Sequence, residues 1–134
     1  MDTAGNAYLS GGTYSTDFPV TPGAFQPTQC GRQDAFVAKL DPTGANLGYS
    51  TYLGGSDWDV ATAITLDAYG NAYVAGASSW WSPGTPASGD FPTTPGAFQR
   101  SLRGTHDAFV AKLDERGHLP VPRAGEACRP APAP

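Results

Sequence analysis

Two adjacent indoles, Trp80 and Trp81, stand in a run of small, polar and turn-forming residues, SSWWSPGTPASG. Exposed in such a loop they would stack on sugar rings and bind carbohydrate. Folded back, they would form an apolar lid over the strand they follow. Asp57 and Asp59 flank Trp58, preceded by Gly54-Gly55. Calcium favours such oxygen ligands but needs roughly six to eight of them, and the competing reading has both acids accepting turn N–H groups. Asp34 and Lys39 share one stretch, and Asp107 and Lys112 repeat them in another. A catalytic site would occur once, whereas a packing contact recurs in every unit of a repeat, so these four read as structural. His106 and His118 have no nearby carboxylate pattern beyond Asp107 and Asp114. Cys30 and Cys128 lack a histidine at ligand spacing, so they make no metal site, and their pairing in a disulfide stays open. The chain contains no Gly-x-Ser-x-Gly elbow, no His-Glu-x-x-His and no phosphate-binding glycine loop. No catalytic residue, metal or cofactor is therefore expected.

The overall charge narrows the partners. Eight Lys and Arg stand against 12 Asp and Glu, for a net charge of −4. No basic cluster exists to neutralise a phosphate backbone, which argues against nucleic acid. There are 17 Gly and 13 Pro, and no stretch free of both exceeds the 14 residues from Ser56 to Tyr69. Both residue types interrupt helices, so long helices and bundles are excluded. No apolar run approaches the roughly 18 residues of a membrane span, and residues 1–15 have neither the basic start nor the apolar centre of a signal peptide.

Internal repetition organises the chain. DAFVAKLD at Asp34–Asp41 returns unchanged at Asp107–Asp114, an offset of 73. DFPVTPGAFQ at Asp17–Gln26 returns as DFPTTPGAFQ at Asp90–Gln99 with the same offset. GNAY at Gly5–Tyr8 returns at Gly70–Tyr73 with an offset of 65, so an eight-residue insertion, SSWWSPGTPASG in part, separates the later blocks. One unit thus spans about 65 residues and the chain holds about two.

Each block reads as a short strand or a turn. In Asp34–Leu40 both alternating faces are largely apolar, as in a strand covered on both sides. Leu47–Leu53 is rich in Tyr, Thr and Leu and stops at Gly54-Gly55. Val60–Asp67 leads through Gly70 into Asn71–Ser78, a hairpin in which small alternate residues would let a second sheet come close. Residues 56–66 also admit a capped helix, with Val60 and Ile64 four apart, but their β-branched Val, Thr and Ile favour a strand. Thr21–Phe25 and Thr94–Phe98, TPGAF, predict type II turns whose Phe25 and Phe98 pin the loop to its sheet. The fold class is all-β: antiparallel four-stranded blades of a β-propeller, about two of them and incomplete.

Taken together, GGSDWDVATAITLDAYGNAYVAG, DFPTTPGAFQ, DAFVAKLD and YSTYLGG resemble the bacterial β-propeller repeat family abbreviated SBBP, over residues 1 to about 117. The resemblance implies a propeller, an exported host protein of the extracellular space or cell surface, and a scaffold or interaction role with no catalytic residues to carry over. The expected organisation is a first unit over 1–55 lacking its first strand, and a second over 56–117 lacking its last, with the insertion near 79–89. A Pro- and Ala-rich tail over 118–134 is expected to be disordered. Four blades of about 40 residues are the minimum for a ring, so about two cannot close one. The expectation is a fragment of a longer propeller protein, partnered by its other blades. The alternative is that further copies of the chain complete the ring. The functional expectation is a non-catalytic structural or protein-interaction module, its surface contacts being glycans or proteins. The alternative is a carbohydrate-binding module using Trp80 and Trp81.

Overall fold

The computed structural model describes residues 1–79, 91–100 and 104–120. Six strands run through them: β1 (Ala7–Thr13), β2 (Asp34–Leu40), β3 (Leu47–Leu53), β4 (Trp58–Leu66), β5 (Ala72–Ser79) and β6 (His106–Leu113). They form two antiparallel three-stranded sheets, ordered β1-β2-β3 and β4-β5-β6. No helix occurs among the described residues. The stretch that admitted a helix is β4, paired along β5 with a bulge between Ala61 and Ala63. Its β-branched side chains lose rotamer freedom in a helix and pack well on a pleated sheet.

The turns share one device. Asp67 Oδ1 accepts the amides of Tyr69 and Asn71 at 2.9 and 3.0 Å, and Oδ2 accepts Asn71 Nδ2 at 2.8 Å. Gly70 closes the turn at φ 84°, a region that L side chains avoid. Carboxylates of Asp2, Asp41 and Asp114 accept turn amides in the same way. These bonds favour the charged acid. The Thr43 hydroxyl, followed by Asn46, holds Asp41 down at about 2. The Asn71 side chain is the largest cause lowering Asp67.

The repeats put equivalent residues at equivalent register. β1 and β5 are related by 65 positions, and β2 and β6 by 73. In the first sheet one face carries Tyr8, Lys39 and Tyr49, then Ser10, Val37 and Thr51, then Gly12, Ala35 and Leu53. In the second sheet the opposite face, with Ala72, Val74, Ala111 and Leu113, is buried. Ala35, Val37, Tyr49 and Leu53 from the first sheet join Ala61, Ala72, Val74, Ala111 and Leu113 from the second in one core. Unlike faces of two copies of the same unit therefore meet. Val37, Leu53, Val74 and Leu113 are fully buried there. At about 1.5–3 kcal/mol for each such side chain, this sheet-on-sheet contact is a large stabilising term.

The connection from Thr13 to Asp34 covers the outer edge of β3. Thr21 N donates to the Ser50 carbonyl at 3.1 Å, and Ser50 N donates to Thr21 Oγ1 at 3.0 Å. Tyr52 N donates to the Gln26 carbonyl at 3.1 Å. The Tyr52 hydroxyl donates to Ser15 O at 2.8 Å and accepts from Phe18 N at 3.0 Å, and the Phe18 ring lies 4.5 Å from Phe36. An edge strand's spare backbone groups are thus satisfied by loop rather than by another strand. Both TPGAF turns form as expected. Ala24 N donates to Thr21 O and Ala97 N to Thr94 O, each at 3.1 Å, with Gly23 at φ 77° and Gly96 at φ 81°.

Two expectations need correction. Phe25 is buried, 7 % exposed, but Phe98 is 101 % exposed and pins nothing. Phe25 owes its burial to the neighbouring repeat: His118 lies 6.5 Å from its ring, and Leu119 belongs to the same core. The segment from 118 onward therefore begins inside the fold. His118 Nε2 donates to the Gly23 carbonyl at 2.9 Å and Leu119 is buried. Its remaining residues, 121–134, lie outside the described residues.

Candidate functional site

β6 is the last strand of its sheet, and its far edge borders an open groove of about 670 Å³. One wall is the 91–100 loop, with Phe91, Thr94 and Gln99. The other is β6 itself, with Ala108, Val110 and Lys112. The loop is set at the same place as its counterpart in the first repeat. Phe91 stacks on Phe109 at 4.5 Å and 38°, as Phe18 does on Phe36 at 4.5 Å and 34°. Gln99 Nε2 donates to Asp107 Oδ2 at 2.6 Å, as Gln26 Nε2 does to Asp34 Oδ2 at 2.7 Å. In the first repeat the space between these walls holds β3. In the second, Val110 is 78 % exposed whereas its equivalent Val37 is fully buried.

Around Gln26 lies the most polar part of the interior. Asp34 Oδ2 also accepts the Cys30 amide at 2.6 Å, and Gly54 N donates to Gln26 Oε1 at 2.9 Å. Asp59 Oδ2 accepts Gly55 N at 2.9 Å. A Cβ at Gly54 would fall 2.6 Å from Asp59 Oδ2 and 2.9 Å from Asp34 Oδ1, so both buried acids converge on this glycine. The bonds just named run to backbone amides and an amide side chain, the pattern of a structural polar knot.

The residues singled out from the sequence fall in different places. Trp80 and Trp81 lie outside the described residues. Trp58 and Asp59 open β4, and Asp59 accepts a turn amide, as its competing reading required. Asp34 sits in the polar knot, and Asp107, at a half-exposed position, accepts from Gln99 as Asp34 does from Gln26. Lys39 Nζ and Lys112 Nζ each lie over the repeat's own tyrosine, 5.5 Å from Tyr8 and 5.4 Å from Tyr73. The Thr105 hydroxyl and His106 Nδ1 lie 3.0 Å apart, and His118 bridges the repeats. Cys30 is disulfide-bonded, while Cys128 lies outside the described residues. Among the described residues, no three His, Cys, Asp or Glu side chains cluster to hold a metal, and no helix is long and apolar enough to cross a membrane.

Sequence reasoning did not single out Gln26 and Gln99 as partners of the repeated aspartates. The signal was available, because both glutamines end the duplicated DFPxTPGAFQ block eight residues before an aspartate. A search against protein-family models and one of curated proteins each returned no match to the chain.

Proposed function

We propose that the chain is a non-catalytic scaffold and protein-interaction module of the β-propeller type, two neighbouring blades of a larger exported bacterial protein. One observation carries the reading. The face each sheet leaves free is the equivalent of the face the other sheet buries. Val110 is 78 % exposed where Val37 is buried, and Leu9 is 44 % exposed where Val74 is buried. Stacking of unlike faces is head-to-tail and has no built-in end, so it continues until a ring closes or a filament grows. Superposing the repeats also supplies the strands each sheet lacks. The combined order is β4, then β5 or β1, then β6 or β2, then β3, four antiparallel strands as in a propeller blade. The disulfide at Cys30 supports an oxidising, extracytoplasmic setting.

The test uses light scattering and electron microscopy with two charged variants. The wild-type chain is expected to self-associate with rising concentration, and Leu9→Lys and Val110→Lys each to remain monomeric. An equal mixture of the two variants should form a dimer, because each retains one good face. A wild-type chain that stays monomeric, or variants that associate unchanged, would overturn the proposal.

A further inference from the structure

We propose that the groove along β6 captures an extended segment of another polypeptide with the chemistry of β3, Leu-Gly-Tyr-Ser-Thr-Tyr-Leu, by antiparallel strand pairing. The inference deepens the interaction-module reading and rests on it only for the four-stranded unit, not for closure of a ring.

The first repeat displays the occupant. There β3 pairs with β2 in the register Ala35 to Leu53, Phe36 to Tyr52, Val37 to Thr51, Ala38 to Ser50 and Lys39 to Tyr49. The loop residues that hold it are Phe18, Thr21 and Gln26, through the Tyr52 ring at 6.0 Å, the Ser50 backbone and the Tyr52 amide. Their equivalents Phe91, Thr94 and Gln99 line the groove, and β6 repeats the β2 sequence without change. The receptor is therefore duplicated in residue and geometry, and the ligand strand occurs once.

Main-chain pairing would supply affinity, and alternate side chains would supply selectivity. In the transferred register Tyr faces the Phe91–Phe109 pair, Ser takes the place beside Thr94, and Leu continues the apolar face over Ala108. The chain's own residues at these aligned positions are a poor substitute. Pro120 and Pro122 stand where β3 has Leu47 and Tyr49, and Gly125 and Glu126 where it has Tyr52 and Leu53. Prolines cannot donate to a strand ladder. A second copy has already committed its β3 to its own first sheet.

The probe is a fluorescein-labelled peptide, LGYSTYLGG, the sequence of residues 47–55. It is titrated into the full chain and, in parallel, into Leu9→Lys, whose stacking face is blocked. Saturable polarisation with both proteins, and slowed amide exchange along β6, is the expected result. In β3 the amides of Ser50 and Tyr52 face the loop, so that of Thr51 faces β2. A peptide with proline in place of Thr51 should therefore bind about tenfold more weakly. Absence of saturable binding, or equal binding of the proline peptide, overturns the proposal while leaving the stacking test untouched. Binding seen only after removal of residues 121–134 would assign the groove to the chain's own C-terminal segment. Peptide that disperses self-associated chains but does not bind Leu9→Lys would assign it to a second copy. Either of these outcomes also overturns it.

Discussion

Val37 and Val110 occupy the same position of the same seven-residue sequence, DAFVAKL, yet one is fully buried and the other 78 % exposed. Phe25 and Phe98 end the same turn, 7 % and 101 % exposed. Local geometry does not separate these pairs, since both loops stack their phenylalanine at 4.5 Å and both glutamines reach their aspartate. What differs is the neighbour. The first repeat has β3 on its edge and the second sheet over its Val37 face; among the described residues, no strand pairs with the far edge of β6 and no sheet covers the Val110 face. Strand and loop conformation are thus properties of the unit, and burial is a property of its place in the stack.

The largest test of this contrast is a charge at the two valines. Val37→Asp should abolish cooperative folding in a thermal melt, because an unpaired carboxylate would enter the core between the sheets. Val110→Asp, compared with wild type at a concentration where both are monomeric, should shift stability by no more than about 0.5 kcal/mol. Equal effects would break the comparison.

Next come the glutamines. Gln26→Ala removes a donor from buried Asp34 and an acceptor from the Gly54 amide, and urea denaturation should show a loss of about 1–3 kcal/mol. Gln99→Ala removes the exposed bond to Asp107 and should cost less than half as much in the same assay.

A smaller contrast lies within β3. The Tyr52 hydroxyl both donates and accepts, so Tyr52→Phe should cost about 1 kcal/mol. The Tyr49 hydroxyl is buried without a partner beneath Gly117, and burial raises its pKa. Tyr49→Phe should leave stability unchanged or raise it by up to about 1 kcal/mol in the same assay.

The smallest effect concerns pH. The Thr43 and Asn46 bonds lower Asp41 from 3.8 to about 2. A depressed carboxylate stabilises the fold fully above its unfolded pKa, and that contribution disappears as pH falls through the folded value. Wild-type chain should therefore lose more stability than Asp41→Asn between pH 4 and 2. Parallel melting curves across that window would show whether the turn device acts as drawn.

Much of this architecture was legible without coordinates. Strand periodicity, the TPGAF turns and the Gly70 hairpin depend on residues close in sequence, and they formed where expected, β2 and β3 at Asp34–Leu40 and Leu47–Leu53. The groove was hidden for a physical reason. Its walls come from a loop and a strand whose sequences match those of a filled site, so what distinguishes the two sites among the described residues is β3, which fills the first. The same reason misplaced Phe98: its counterpart Phe25 is covered by His118 and Leu119, residues far from it in the chain.

By itself the sequence determined an all-β chain of two related units, because offsets of 65 and 73 repeat the backbone preferences along with the residues. Only the tertiary structure decided which face of each unit is buried, since β2 and β6 are identical strings and no local rule can treat them differently. That choice is made by which sheet lies opposite, a contact between residues far apart in the chain, and it leaves Leu9 and Val110 on the two free faces.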